Sequence, residues 1–332
     1  MNNTKNIRPT ALDEIVTFLK AQPGSRPQAI ADAVGVSRQY VQKMLQDKET
    51  FDAYGSGPNR FYRLASVMPE DNVTEEMVGV LDDDQRKQID SNFYALTPLG
   101  AELVGVNGFY EWCRQRGFNF EQKAREYIGV LKKYYPETAR FPIDFTHKLK
   151  TTFSDLSVDK IWASDFYAFE IFGKSKLGTL VTVAKQVGDS DSIKALAERL
   201  DRDIKTIQKT HRIDALAFVS PTLQRQVQLM SKLDLAIDKS LPRIRVYKVG
   251  AKILIAQKTL KTIQDRVLNA AQTFVVESDR KFENVLIIDD ALGSGATINE
   301  VAKLIKQKDI GEHCYSIVLV ASPNGYEVIN EA

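Results

Sequence analysis

Apolar residues recur along the first fifty positions with a helical period: Leu12, Ile15, Val16 and Leu19 lie on one face, as do Val41, Met44 and Leu45 further on. The turn Pro23-Gly24-Ser25 and then Gly35 interrupt that pattern. From Phe51 to Leu64 it changes to two short strands around a glycine-rich turn. Pro69 to Asp84 is acidic and reads as a solvated connector. Trp162 to Leu177 alternates as paired strands would, with a basic turn at Gly173 to Lys176. Ile193 to Ile204 is helical with Leu196, Ala197 and Leu200 inward, and Ile213 to Val219 is a buried strand ending at Ser220-Pro221. Val285 to Ile288 is an unbroken apolar run, the length of a strand buried on both faces of a parallel sheet. Two acids, Asp289 and Asp290, sit where that strand is expected to end. Ile298, Val301, Ala302 and Ile305 then restore a helix running on through Lys308, and Tyr315 to Val320 is a last strand. The second half is therefore expected to be α/β with a parallel sheet.

The first candidate chemistry lies near the N-terminus. Helix, glycine turn, serine cap, helix is the spacing of a helix-turn-helix: Ala31 permits close packing, Gly35 makes the turn and Ser37 caps the second helix. The outward residues Ser37, Arg38, Gln39, Gln42 and Lys43 can donate to the phosphates or base edges of duplex DNA or another nucleic acid. The strand pair that follows, with Arg60 and Arg63 beside it, is similar to the wing of winged helix-turn-helix domains, which implies a DNA-binding unit over residues 1–66. Those residues hold nine Lys/Arg against six Asp/Glu, a modest basic excess. The same fold used for protein contact or dimerisation is the alternative.

The second candidate is the loop after the apolar run. Gly293 and Gly295 let the backbone turn tightly and expose its amides, Ser294 and Thr297 add hydroxyls, and the first turn of the following helix adds unpaired N–H groups and a positive dipole end. A phosphate fits that cradle, and Asp289 and Asp290 stand before it, able to reach hydroxyls or a Mg2+. A plain sheet strand whose Asp caps a helix is the simpler alternative. The run Val285-Leu-Ile-Ile-Asp-Asp-Ala-Leu-Gly-Ser-Gly-Ala-Thr297 resembles the phosphoribosyl-diphosphate (PRPP) motif of type I phosphoribosyltransferases. The resemblance implies that Asp289 and Asp290 hold the ribose hydroxyls and the metal, and that Gly293, Ser294, Gly295, Ala296 and Thr297 hold the 5′-phosphate. Gly293 departs from the commonest pattern, which has Thr there. The order of elements before it resembles phosphoribosyltransferases of the competence-protein ComF type, as does the series Gln257, Leu260, Arg266, Asn269 and Phe274, with the Leu-to-Arg spacing one residue longer. That likeness implies a diphosphate site at Ser220, Thr222 and Arg225, with Lys258, Lys261 and Arg266 reaching the same anion; each of these cations also has an ordinary solvated reading.

Composition narrows the picture. The chain has 332 residues, 43% of them hydrophobic, enough for two or three domains, and a formal charge of only +2, so nucleic-acid binding must come from a local patch. Cys113 and Cys314 are the two cysteines, which suits a reducing cytoplasm and offers no metal-site spacing. No apolar run reaches membrane-spanning length and the polar start is no signal peptide, so a cytoplasmic protein is expected. His147, His211 and His313 are scattered. The short stretch Phe93 to Leu103 resembles the closing strand and helix of another winged-helix unit. Phe109, Tyr110, Trp112, Phe118, Phe120, Tyr127, Tyr134 and Tyr135 either stack bases or pack between domains or across a dimer.

Three units are expected: winged helix-turn-helix (1–66), a mostly helical connector (67–160) and a phosphoribosyltransferase-like domain (161–332). The pairing points to a DNA-binding regulator that senses PRPP, with Mg2+, or a related nucleotide, as the purine repressors of some bacteria do. A homo-oligomer is expected, since a dimer sets two recognition helices about one helical turn apart. Two alternatives stay open, an active phosphoribosyltransferase and a nucleotide-directed effector of a retron-type antiviral defence module.

Overall fold

The computed structural model describes residues 10–22, 24–47, 50–54, 60–64, 81–97, 100–136, 141–220, 228–249 and 262–322. The chain divides into two compact units, Met1–Val80 and Leu81–Ala332.

In the first unit three helices, α1 (Ala11–Ala21), α2 (Pro27–Val34) and α3 (Arg38–Met44), precede strands β1 (Phe51–Tyr54) and β2 (Phe61–Leu64). Thr10 and Asp13 form a reciprocal capping box at the start of α1. Gly35 ends α2 at φ 74°, a left-handed position where a side chain would be strained. The Ser37 hydroxyl accepts the Tyr40 N–H at 3.2 Å and starts α3. β1 and β2 pair antiparallel, Phe51 opposite Leu64, and Ser25 bridges to Tyr62. Ile15, Leu19, Ile30, Ala31, Val41, Leu45, Phe51 and Tyr62 form the core of this unit. The turn at 55–59 and the acidic stretch at 69–80 lie outside the described residues.

The second unit opens with α4 (Asp83–Asn92), the antiparallel pair β3 (Tyr94–Leu96) and β4 (Glu102–Val104), then α5 (Gly105–Gln115) and α6 (Phe120–Tyr134). Phe93 to Leu103 is thus a small hairpin with helices on either side, where a strand followed by a helix was expected. The aromatic residues close this region on itself. Phe93, Phe109, Trp112 and Tyr127 are buried, and the Phe93–Phe109 and Tyr127–Phe172 centroids lie 4.9 Å apart. Those rings are used in packing, which leaves them no face for a base.

The remaining described elements are β5 (Ile143–Asp144), α7 (Thr146–Thr152), β6 (Lys160–Phe166), α8 (Lys176–Gln186), α9 (Ser190–His211), β7 (Ala215–Phe218), α10 (Leu229–Ala236), β8 (Arg243–Lys248), α11 (Ile263–Thr273), β9 (Phe274–Glu277), β10 (Phe282–Leu292), α12 (Ala296–Gln307) and β11 (Gly311–Ala321). The described strands make a seven-stranded sheet in the order β5-β6-β11-β10-β7-β8-β9. Neighbours from β6 to β8 are parallel, and β5 and β9 run antiparallel at the two edges. α8, α9 and α10 pack on one face against Leu216, Leu286, Ile288, Ile317 and Leu319. On the other face Cys314, opposite Val285, reaches the Ala302 carbonyl of α12. Both cysteines are buried free thiols, and burial pushes each up to about 12.

Two expectations are corrected. Trp162 to Leu177 does not form two paired strands: β6 pairs parallel with β11, the chain folds back only at the single antiparallel bridge Ala168–Lys174, and Ser175 then caps α8 by accepting the Gly178 N–H at 2.9 Å. Its residues 161–164 are buried, which an exposed hairpin arm would not allow. The second correction concerns β10, which runs on through the acids to Leu292, because Asp289, Ala291 and Leu292 keep their register with Val318, Val320 and Ala321 of β11.

Backbone approach at Gly178 gives a stability test. A Cβ there would lie 2.1 Å from the Tyr167 carbonyl oxygen, whereas Gly129 in α6 faces open space. Gly178→Ala should therefore cost about 1–3 kcal/mol through backbone displacement, and Gly129→Ala should add about 0.4–1 kcal/mol in a helix interior. Urea unfolding midpoints at unchanged slope measure both.

Candidate functional site

Strand connections decide where a ligand crevice forms. From β10 the chain crosses through α12 to β11 on one side, and from β7 it crosses through α10 to β8 on the other. The adjacent C-terminal ends of β10 and β7 are therefore the topological switch point of the sheet, where open α/β sheets bind ligands. Asp289, Asp290 and the loop 293–295 stand at one of these ends and Ser220 follows the other.

Alternation along β10 separates the two acids. Val285, Ile287 and Asp289 share the α12 face, while Leu286, Ile288 and Asp290 share the face of α8 and α9. Asp290 Oδ1 meets the Lys185 ammonium of α8 at 2.8 Å. A partly exposed pair of this kind adds on the order of 0–1 kcal/mol to stability. Asp289 Oδ1 accepts the Asp290 N–H at 2.8 Å. Burial first, and then the neighbouring Asp290 carboxylate, raise Asp289 above the ordinary carboxylate range, against the pull of that N–H and of Lys185. Among the described residues no group of three or more His, Cys, Asp or Glu is placed to hold a metal ion.

The loop turns at Gly295, whose φ of 81° places it in the left-handed region at the cap of α12. A Cβ there would also sit 3.2 Å from Leu149 of α7, so this glycine is required by the fold. Gly293 is different: a Cβ on it meets nothing within 4 Å among the described residues. The Ser294 hydroxyl accepts the Ala296 N–H at 3.3 Å, and Thr297 is half-buried in the first turn. First-turn amides of a helix have no carbonyl four residues back, so Thr297 and Ile298 present theirs toward the loop.

The other expected residues fall elsewhere. The Ser220 hydroxyl donates to the Val246 carbonyl, and so ties the end of β7 to β8. Arg266 lies on α11, without a described side chain, and Thr222, Arg225, Lys258 and Lys261 lie outside the described residues, as do Gln257, Leu260 and 323–325. In the first unit Ser37, Arg38, Gln39, Gln42 and Lys43 are all exposed on or beside α3, and the exposed Arg60 lies over the Tyr62 ring at 5.5 Å.

Two site residues escaped the reading of the sequence. Lys185 sits on a helix hidden behind the expected hairpin; Leu177, Val181 and Ala184, all buried at helical spacing after Ser175, are the signal for it. Lys148 of α7 donates to the Ser322 carbonyl just past β11, and burial pulls its ammonium down to about 8.

Asp289 yields a pH prediction. A carboxyl raised in the fold above its ordinary 3.8 favours the protonated form there, so its contribution is most favourable at low pH and is lost as pH rises through 3.8 toward the raised value. Asp289→Asn keeps an acceptor for the Asp290 N–H. Its melting temperature should exceed that of the wild type near pH 8, by roughly 2–4 °C per kcal/mol released, and the gap should close near pH 4. Calorimetric scans across that range check it.

No family model matches the chain, and no curated protein does. Among solved structures it is similar to a hypoxanthine-guanine phosphoribosyltransferase from Bacillus anthracis, at 13% identity and a TM-score of 0.26, over 43% of this chain and 75% of that one. It is likewise similar to a hypoxanthine phosphoribosyltransferase from Trypanosoma cruzi bound to its product IMP, at 16% identity and 0.26, over 42% and 71%. A third is an adenine phosphoribosyltransferase from Leishmania donovani, at 13% and 0.27, over 45% and 75%. Likeness at that level carries no statement about the chemistry of this chain. No helix among its described residues is long and apolar enough to cross a membrane.

Proposed function

We propose that the second unit is a phosphoribosyltransferase-like domain that binds PRPP or a related nucleotide, and that the first unit, a winged helix-turn-helix, ties that ligand to duplex DNA in a regulatory protein. One observation carries the ligand half. A glycine loop at a helix N-terminus stands next to two carboxylates, at the sheet's switch point, with open room over Gly293. Loop and helix amides suit a 5′-phosphate. The carboxylates suit the ribose hydroxyls, since an ionised carboxylate accepts and hydroxyls donate. In the family reaction diphosphate leaves the ribose C1 to a positioned base as nucleophile; sensing needs only the anion and ribose contacts proposed here.

The DNA half is supported by the exposed donors on α3, with Ser37 capping the helix and Arg60 exposed just before β2. Hydroxyl, guanidinium, amide and ammonium groups on one short helix suit phosphates and base edges together. A homo-oligomer, with a dimer presenting two such helices, is part of this reading.

Gly293→Val tests the ligand half. A valine there fills the open room without disturbing a left-handed turn, so affinity for PRPP and for inorganic phosphate should fall at least about tenfold, a loss of about 1.4 kcal/mol, at a melting temperature no lower than that of the wild type. Calorimetric titration reads it, and a wild type that binds neither compound at millimolar concentration would sink the proposal.

DNA binding has its own measurement. Lys43→Ala and Arg60→Ala should each flatten the slope of log affinity against log salt by about one unit for any sequence, whereas Gln39→Ala should weaken discrimination between sequences. In a sensor, PRPP changes DNA affinity and DNA changes PRPP affinity by the same factor. Fluorescence anisotropy with and without PRPP gives that factor; a value of one alongside proven PRPP binding excludes the regulatory role.

A further inference from the structure

The acid pair at the end of β10 already faces a cation supplied by the chain itself. Lys185 projects from the last turn of α8, and its ammonium lies 2.8 Å from Asp290 Oδ1. The side chains are 28% and 24% exposed, so the pair borders the open end of the sheet. Asp289 does not share this contact, because the strand turns it to the α12 face, where it accepts the Asp290 N–H. A divalent ion of the Mg2+ type demands near-octahedral oxygens at about 2.0–2.1 Å. Carboxylates on opposite faces of one strand do not converge on such a point, and one of them is already paired. The two acids therefore do not fit Mg2+ as joint direct ligands.

We infer that Lys185 is the resident counter-cation of this acid pair, so that the site takes a 5′-phosphorylated ribose with a free 2,3-diol and no metal ion at the acids. The inference rests on the reading that the loop 293–297 holds the 5′-phosphate. Lys185 has two effects there. It offsets the Asp290 charge next to a bound anion, and it fixes the Asp290 carboxylate through Oδ1 so that Oδ2 remains to accept a ribose hydroxyl. Lys185 is thus a positioning residue, acting on the sugar through Asp290.

Ribose 5-phosphate is the probe, because it carries phosphate and diol but no diphosphate to bring a metal with it. The full chain is titrated calorimetrically in EDTA and again in millimolar Mg2+. Wild-type affinities should agree within about twofold between the two conditions, and 2-deoxyribose 5-phosphate should bind about tenfold more weakly for want of one hydroxyl. Lys185→Met should weaken ribose 5-phosphate at least about tenfold in EDTA, while Lys185→Arg, which keeps the charge, should stay within about threefold of wild type. Melting curves show whether Lys185→Met is folded; if it is not, the wild-type metal comparison and Lys185→Arg still decide. A wild type that needs Mg2+ to bind ribose 5-phosphate overturns the assignment to Lys185 and leaves the phosphate loop standing. Equal binding by folded Lys185→Met and wild type in EDTA, or equal binding of the deoxy sugar, does the same. Failure of the wild type to bind either ribose 5-phosphate or inorganic phosphate overturns the loop reading and this inference together.

Discussion

The pairing of β10 on both edges, with β11 on one side and β7 on the other, is the constraint from which the rest of the second unit follows. A strand hydrogen-bonded along both edges has no freedom in register, and a slip by one residue would exchange its faces. Val285, Leu286, Ile287 and Ile288 are completely buried, two toward each layer of helices. At about 1.5–3 kcal/mol for each fully buried aliphatic side chain, these four residues outweigh what it costs to hold the Asp289 carboxyl half out of water beside another acid. The hydrophobic run thus fixes where the polar end must be.

That arrangement also decides the electrostatics of the strand end. Adjacent carboxylates in water would share a similar environment, but here the strand gives each its own. Asp290 turns to the α8 face and meets an ammonium; Asp289 turns inward and is raised by burial and by its neighbour. Two identical side chains therefore differ in their readiness to hold charge because of a period-two backbone. The difference makes Asp290 one half of an ion pair and leaves Asp289 the acid that gives up its proton less readily.

How much of this is legible in the sequence depends on how local the cause is. The four-residue apolar run, the small-residue loop and the helical period after Ile298 are local, and the strand, loop and helix form there as the pattern requires. In the first unit Gly35 and Ser37 set the turn and cap by their own backbone chemistry. The errors come from tertiary causes. Strand β10 extends past the acids because β11 offers it partners 29 residues further on in register, as Asp289 opposite Val318 shows. Alternation from Trp162 onward resembles a hairpin, yet β6 lies between β5 and β11, the latter more than a hundred residues away. Lys185 carries no motif at all; only the placement of α8 against the end of β10 makes it part of the site. The aromatic residues of α5 and α6 show why composition alone stops short, since the same rings suit a base or one another, and burial decides between them.

The two loop glycines show the same division between fold and ligand at the scale of a single atom. Gly295 cannot be anything else, because its backbone is left-handed and Leu149 occupies the space a side chain would need. Its presence is explained by the turn into α12 and says nothing about what binds. Gly293 has neither constraint: its φ is outside the left-handed region, and no described residue occupies the space beside it. A residue with a side chain would bury more surface and restrict the unfolded chain more strongly, so stability alone favours replacing this glycine. What stability does not ask for is what the proposed anion site would need: the amides of the loop and of the first turn of α12 close at hand, and clear space above the backbone.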